Sequence, residues 1–217
     1  MKKLIIVYSL LAIILITFFK KIELIALNFG LSWTISKLLP YFCLINIGLI
    51  LFFQIKKLNL NKSLKIVFCA LVLILPFTLG FSLNPIYEGD FSKEGSSIKT
   101  NFSPTDFKND GLTVVTIPDC PFCFGAIEKL KIIKRRNPKL NIDFVVCSTN
   151  KQYIKNYIEE INGEFSIRLA KNPNELAKTC GFKFPAFFKV EIKKPTYKWS
   201  NDQFGVRAID DFESSTN

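Results

Sequence analysis

The stretch that decides the fold is GLTVVTIPDCPFCFGAIEKLKIIKRR, residues 111–136. Residues 112–117 are apolar and β-branched and predict a short buried strand, and residues 122–136 place apolar side chains at helical spacing. Cys120 and Cys123 stand where the predicted strand gives way to the predicted helix. Such a pair can bind a metal ion, staple a loop or exchange electrons with other thiols, and the functional interpretation depends on this choice.

The position of the two cysteines favours exchange. The partial positive charge at a helix N-terminus stabilises a thiolate, so we expect Cys120 to have a lowered pKa. Cys123 lies one turn further on the same face and can close a disulfide with it. Pro121 suits the first helical turn, where its missing N–H costs nothing. Asp119 opposes the activation, because a nearby acid raises the pKa of a thiol. We expect Cys120 to be the attacking thiol and Cys123 the resolving thiol.

A metal site and a purely structural disulfide are weaker alternatives. Zinc usually takes four protein ligands in a structural site, and the chain contains no histidine. Cys147 and Cys180 are the two further cysteines of this half, and neither belongs to a second C-x-x-C motif. A structural disulfide that spans two intervening residues is rare and strained. We therefore expect no metal and no bound cofactor.

The sequence after this stretch alternates between strand and helix patterns. Such alternation, followed by a hairpin, predicts an α/β domain with a mixed sheet over residues 112–217. The predicted elements are a strand at 142–147, a helix at 153–161, a strand at 164–169, a short helix at 174–181, a hairpin of 185–192 with 196–201, and a final helix at 206–214.

Two motifs in this half resemble the thioredoxin superfamily. VVTIPDCPFC resembles its active-site corner, and NPNELAKTCGFKFPAFFKV resembles its second signature, a short helix and glycine followed by a proline that opens a strand. The inserted helix and strand at 150–168 resemble the TlpA/ResA-like and peroxiredoxin-like branches more than plain thioredoxin, and with the apolar N-terminal half we favour the membrane-anchored TlpA/ResA-like type. The resemblance implies that Pro185 is cis and faces the cysteine pair. Phe122 and Phe184 would make the rim of this site apolar, which suits docking of an extended peptide beside Pro121 and Pro185, and ordinary packing is the alternative role of both phenylalanines.

The chain departs from this family at three positions. Asp119 stands where many members carry tryptophan, Val114 where thioredoxin carries a buried acid, and Phe184 where threonine, valine or isoleucine is usual. These departures motivate a second hypothesis of another class. In it the domain is a non-catalytic docking or redox-sensing subunit of a membrane complex, and its cysteine pair is a vestige or a sensor.

The N-terminal half predicts a membrane region. Three uncharged apolar runs, at 4–19, 38–55 and 66–83, have lengths near that of a bilayer span. Of the net charge of +11, most lies before residue 84, as lysines that flank these runs. This distribution is typical of membrane flanks and argues against a nucleic-acid partner. A cleaved signal peptide is disfavoured, because the first run ends in FFKK.

The side of the membrane follows from the lysines and from the number of spans. Residues 22–36 suit an interfacial helix with Trp33 as a headgroup anchor. With three spans, six lysines fall on the N-terminal side and three on the other. The positive-inside rule then predicts an extracytoplasmic, periplasmic C-terminal domain. A fourth span within 22–36 would reverse this orientation.

Two further features of the sequence are a linker segment and four cysteines outside the C-x-x-C motif. Residues 84–111 are rich in glycine, serine, proline and asparagine and predict a tether, from which Phe91, Phe102 and Phe107 could dock on the domain. Mid-span cysteines could relay electrons or serve as small hydrophobes, and those of the domain could pair or stay as buried thiols. These are Cys43 and Cys69 in the spans, and Cys147 and Cys180 in the domain. The partners we expect are protein thiols or disulfides, the lipid bilayer and a membrane redox partner.

Overall fold

The protein divides into two compact units, Met1–Tyr87 and Glu88–Asn217. The structure, a computed structural model, describes residues 2–59, 61–92, 95–98 and 106–215. The boundary between the units falls inside the predicted linker at 84–111, so most of that segment is grouped with the C-terminal unit.

The N-terminal unit consists of helices. Two of them, α3 and α4, are long and apolar enough to cross a membrane. The first two helices are bent by 73° at the break between them and make a third span only if the pair is counted as one. The helices are α1 (Lys2–Thr17), α2 (Phe19–Asn28), α3 (Trp33–Lys56) and α4 (Lys62–Leu83).

The prediction of one interfacial helix at 22–36 is wrong. Helix α2 ends at Asn28, and Gly30 then adopts a left-handed φ of +84°. Ser32 starts a new helix, because its hydroxyl accepts the backbone N–H of Ile35 at 3.2 Å. Trp33 is the first residue of α3 and is 3% exposed, so it packs inside the unit and is not an exposed anchor.

Helices α3 and α4 pack closely against each other, and their contacts show how far apart Cys43 and Cys69 lie along the helix axes. A Cβ on Gly48 would lie 3.0 Å from the carbonyl oxygen of Leu73, so the two backbones nearly touch there. The Cys69 sulfur lies 4.0 Å from the carbonyl oxygen of Phe52. Cys43 precedes Phe52 by nine residues, about 14 Å along a helix. The two thiols are therefore too far apart for direct exchange between them.

The C-terminal unit is built on one six-stranded sheet with the order β1-β6-β5-β2-β3-β4. Strand β2 pairs parallel with β3 and antiparallel with β5, which confirms the predicted mixed sheet. Strand β3 pairs parallel with β4, while β6 pairs antiparallel with β5 and β1. The strands are β1 (Ser96–Ser97), β2 (Gly111–Thr116), β3 (Ile142–Val146), β4 (Ser166–Leu169), β5 (Ala186–Glu191) and β6 (Lys194–Ser200).

Within the described residues, five helices accompany the sheet. The helix after β2 buries four apolar residues at helical spacing, Ala126, Ile127, Leu130 and Ile133, and carries three basic residues in its last turn. Those charges complement the negative end of the helix dipole. The helices are α5 (Glu88–Phe91), α6 (Pro121–Arg136), α7 (Gln152–Ile161), α8 (Pro173–Cys180) and α9 (Val206–Ser214).

Parts of the predicted tether are structured within the C-terminal unit. Strand β1 pairs with β6, and Phe107 is 4% exposed, with its ring 5.0 Å from that of Phe188. Phe91 ends the short helix α5, and Phe102 lies outside the described residues. The tether prediction missed these elements because they are too short for a periodic pattern and depend on contacts with distant residues.

A buried carboxylate holds the end of this segment in place. Asp106 is 1% exposed and accepts the backbone N–H groups of Lys171 at 2.5 Å and Asn172 at 3.1 Å. Arg168 pairs with Asp106 and also with buried Asp143, at 2.7 Å. Charged groups taken out of water must be paired, so this network ties residue 106 to the start of α8 and to two strands.

We predict that Asp106→Ala strongly destabilises the C-terminal unit. The change leaves two backbone N–H groups without their acceptor and Arg168 short of one partner, which costs about 3 kcal/mol or more. Thermal unfolding of the purified full-length chain, followed by circular dichroism, measures the effect. Lys108→Ala, at an exposed neighbouring position, is the matched control. Equal unfolding midpoints for the two variants would contradict the role of Asp106.

Candidate active site

The two cysteines of the deciding stretch lie at the corner between β2 and α6. Strand β2 ends at Thr116, and α6 begins at Pro121 with Cys120 as its N-cap. The Cys120 sulfur accepts the backbone N–H of Cys123 at 3.2 Å. The two residues form a disulfide, with their Cα atoms 5.2 Å apart. The pair is therefore joined covalently at the positive end of a helix.

The two sulfurs differ in accessibility. Cys120 is 7% exposed and Cys123 is fully buried at 0%. Of the two residues, Cys120 is thus the one that keeps any exposed surface. Among the described residues, no three cysteine or acidic side chains converge as a metal site would require.

The predicted proline lies at the same end of the sheet as the cysteines. The Phe184–Pro185 peptide bond is cis, and β5 begins immediately afterwards at Ala186. Ala186 pairs with Val115 in β2, so Pro185 lies beside the end of β2 that leads into the cysteine loop. The topology thus brings together two motifs that are about sixty residues apart in the chain.

A tyrosine beneath the cysteine loop was not among the predicted site residues. The hydroxyl of Tyr157, in α7, donates to the carbonyl oxygen of Ile117 at 2.7 Å. In the sequence, Tyr157 lies in the predicted helix at 153–161, and no motif marks it as a site residue. A buried tyrosine hydroxyl usually finds a partner, so the residue type was a signal that something polar lies opposite. The loop also contains Asp119, which has a left-handed φ of +53° that aspartate tolerates.

Three phenylalanines of the two sequence motifs lie in two kinds of environment. Phe122 is 68% exposed beside the disulfide, whereas Phe184 is partly buried and packs against the core cluster that contains Val115 and Phe188. Phe182 is 70% exposed with a left-handed φ of +56°, and sequence analysis did not single it out. Phe184 thus contributes to the core, while Phe122 and Phe182 are open to solvent.

A groove runs along the N-terminal half of α6. It has a volume of about 240 Å³ and includes Pro121 and Phe122 in its lining. Its opposite side is formed by Phe187 and Phe204, whose rings stack 4.0 Å apart. The disulfide is therefore flanked by a concave, largely apolar surface.

The other cysteines of the domain are inert by their surroundings. Cys147 and Cys180 are free thiols in one core cluster, so the pairing that the sequence left open is absent from this structure. Burial, with a smaller contribution from Asp106, raises the pKa of Cys147 to about 12. Burial likewise raises the pKa of Cys180. Thiols in such surroundings carry almost no thiolate near neutral pH.

Comparison with known proteins gives two structural neighbours. No family model matches the chain, and no curated protein matches it. One solved structure is a secreted disulfide oxidoreductase of Mycobacterium tuberculosis described as homologous to E. coli DsbE. It is 15% identical with a TM-score of 0.35, over 45% of this chain and 78% of its own.

The second neighbour is a thioredoxin-like protein from Bacteroides caccae. It is 13% identical with a TM-score of 0.41, over 84% of this chain and 83% of its own. At these similarities, neither neighbour supports a statement about function, so we infer function from the geometry of this chain. That geometry defines a class, an α/β domain with a mixed sheet, a disulfide at a strand–helix corner and a cis proline alongside.

We predict that iodoacetamide separates the two kinds of cysteine in the reduced, folded chain. Near pH 8, Cys147, with a pKa of about 12, is thiolate in only about one molecule in ten thousand, so it should stay unmodified while Cys120 reacts. Raising the pH toward 12 should increase labelling of Cys147. Peptide mass spectrometry gives the labelling at each position. Labelling of Cys147 as fast as Cys120, or a disulfide between Cys147 and Cys180, would contradict the assignment.

Proposed function

We propose that the protein is a membrane-anchored thiol–disulfide oxidoreductase that exchanges disulfides with protein substrates outside the cytoplasm. The observation that carries the proposal is the disulfide at the N-terminus of α6, with its outer sulfur acting as the helix cap. Helix N-termini stabilise thiolates, and a stabilised thiolate is both a good leaving group and an available nucleophile. The resemblance of both sequence motifs to the thioredoxin superfamily supports the same reaction.

The proposed exchange proceeds through a mixed disulfide. A substrate thiolate attacks the Cys120 sulfur, the Cys120–Cys123 bond breaks, and Cys123 leaves as a thiolate that takes up a proton. A second substrate thiolate then attacks the substrate sulfur of the mixed disulfide and releases Cys120. The substrate ends oxidised by two electrons and the cysteine pair reduced. The reverse sequence, in which Cys120 attacks and Cys123 resolves, reduces a substrate disulfide.

The neighbouring residues have distinct proposed roles. Pro185 presents the backbone before β5 to an extended substrate segment without a competing N–H. Pro121 keeps the first turn of α6 free of an unsatisfied donor. Phe122 offers an exposed apolar contact beside the reacting sulfur. Phe184 holds the cis bond against the core, and the part of its side chain that remains exposed can contact substrate.

The N-terminal helices supply the proposed anchor and its orientation. Helices α3 and α4 have the length and apolarity of spans, and α1 with α2 would complete a set of three. Six lysines on the N-terminal side against three on the other favour an extracytoplasmic C-terminal domain. Exported proteins with cysteine pairs are then the substrates, and a membrane redox partner returns the pair to its starting state.

We predict that Cys123→Ser traps substrate on Cys120. Without the resolving thiol, a mixed disulfide has no internal nucleophile to release it. Non-reducing electrophoresis of the full-length variant with oxidised insulin, whose disulfide the Cys120 thiolate attacks, shows the adduct, which Cys120→Ser does not form. Wild-type chain should accelerate insulin reduction by dithiothreitol, and Cys120→Ser should not. Equal rates for these two proteins, with full cellular function in a double Cys→Ser mutant, would favour the docking-subunit hypothesis instead.

We predict that Phe122→Ala weakens substrate binding more than it affects sulfur chemistry. Loss of an exposed aromatic contact should raise the KM for insulin about threefold to tenfold, in line with about 1 kcal/mol of lost contact. Alkylation of Cys120 by iodoacetamide, which needs no such contact, should be unchanged. Ile192→Ala removes an 85% exposed side chain at the turn between β5 and β6 and is the control. An unchanged KM for Phe122→Ala would contradict the assigned role.

A further inference from the structure

Tyr157 connects three elements of the active-site corner. Its ring stacks on Phe124 of α6, with centroids 4.4 Å apart and an interplanar angle of 12°, and lies 5.2 Å from Phe144 of β3. The residue is 0% exposed. Its ring is thus fixed by packing before its hydroxyl makes any contact, and the hydroxyl position is set by the core.

The Tyr157 side chain bridges the two ends of the cysteine loop. Its hydroxyl donates to the carbonyl oxygen of Ile117 at 2.7 Å, just after β2, while its ring stacks on Phe124 in the first turn of α6. Between these two anchor points the chain passes through Asp119 in its left-handed conformation. A single side chain therefore closes the turn from strand to helix.

We propose that Tyr157 is a positioning residue that holds the Cys120 sulfur at the N-terminus of α6. This inference rests on the proposed role of Cys120 as the reacting sulfur. Fixing Ile117 before Cys120 and Phe124 after it keeps the Cys120 side chain where it accepts the Cys123 N–H. A sulfur that drifts from this position loses the helix N-terminus as a partner, and its thiolate is less stable.

The hydroxyl keeps its proton over the pH range in which the cysteine titrates. Burial raises the pKa of Tyr157 above its ordinary value, so it stays a neutral donor near neutral pH. The charged group beside it is Asp119, whose carboxylate also acts on the Tyr157 hydroxyl. A change in cysteine reactivity on removal of the hydroxyl therefore reflects position and not a lost charge.

The test compares Tyr157→Phe with Tyr153→Phe. Phenylalanine at 157 keeps the ring stack and removes only the hydroxyl, while Tyr153 lies one turn earlier in the same helix and is the control. Iodoacetamide labels Cys120 in the reduced full-length chain from about pH 5 to about pH 9. We expect Tyr157→Phe to move the midpoint of the rate profile to higher pH and to slow labelling at pH 7 about threefold or more. Tyr153→Phe should match the wild type.

A purely structural role would give another result. If Tyr157→Phe lowers the unfolding temperature but leaves the pH profile of Cys120 labelling unchanged, the inference is overturned. Neither readout uses a protein substrate, so failure of the proposed function would appear separately, as absent insulin turnover.

Discussion

The hydrogen bond from the Cys123 N–H to the Cys120 sulfur makes one atom both the cap of a helix and the outer end of a disulfide. Helix N-termini have donors that lack intrahelical partners, so a sulfur there is stabilised most when it becomes negative. The rest of the corner maintains this arrangement. Buried strand β2 fixes where the loop starts, β5 places the cis proline alongside, and Tyr157 holds the loop from below.

The same domain keeps Cys147 and Cys180 in its apolar core, where burial suppresses thiolate formation. Environment, and not residue type, separates the disulfide pair at the helix N-terminus from the two buried thiols.

Much of the C-terminal fold was predictable because its signals are local. The strand at 112–117, the helix at 122–136 and the hairpin all lie within a few residues of β2, α6, β5 and β6, since apolar periodicity and Pro or Gly boundaries specify them. Strand β1 and helix α5 were missed because two to four residues carry no period, and distant partners hold them in place. The candidate site shows the same division. The cysteine pair and Pro185 are marked by motifs, whereas Tyr157 becomes notable only when folding brings it to the corner.

In the N-terminal unit, hydropathy predicts where the long helices lie but not where each of them begins. Apolar runs located the long helices, but the run at 38–55 gave no sign that α3 starts at Trp33. That start depends on a left-handed glycine and a serine cap, which are backbone features within an apolar segment. Sequence spacing alone also left open an electron relay between Cys43 and Cys69. The close packing of α3 on α4 fixes where the two cysteines lie along these helices, and it places their thiols far apart along the helix axes.

The most direct test of the central claim is the reduction potential of the Cys120–Cys123 pair in the full-length protein. The chain is equilibrated in thiol–disulfide buffers, and the oxidised fraction is read from differential alkylation. A redox-active pair at a helix N-terminus should titrate reversibly between about −120 and about −270 mV, the range of known exchange proteins. A pair that remains oxidised below about −300 mV behaves as a structural staple, and that result would contradict the account.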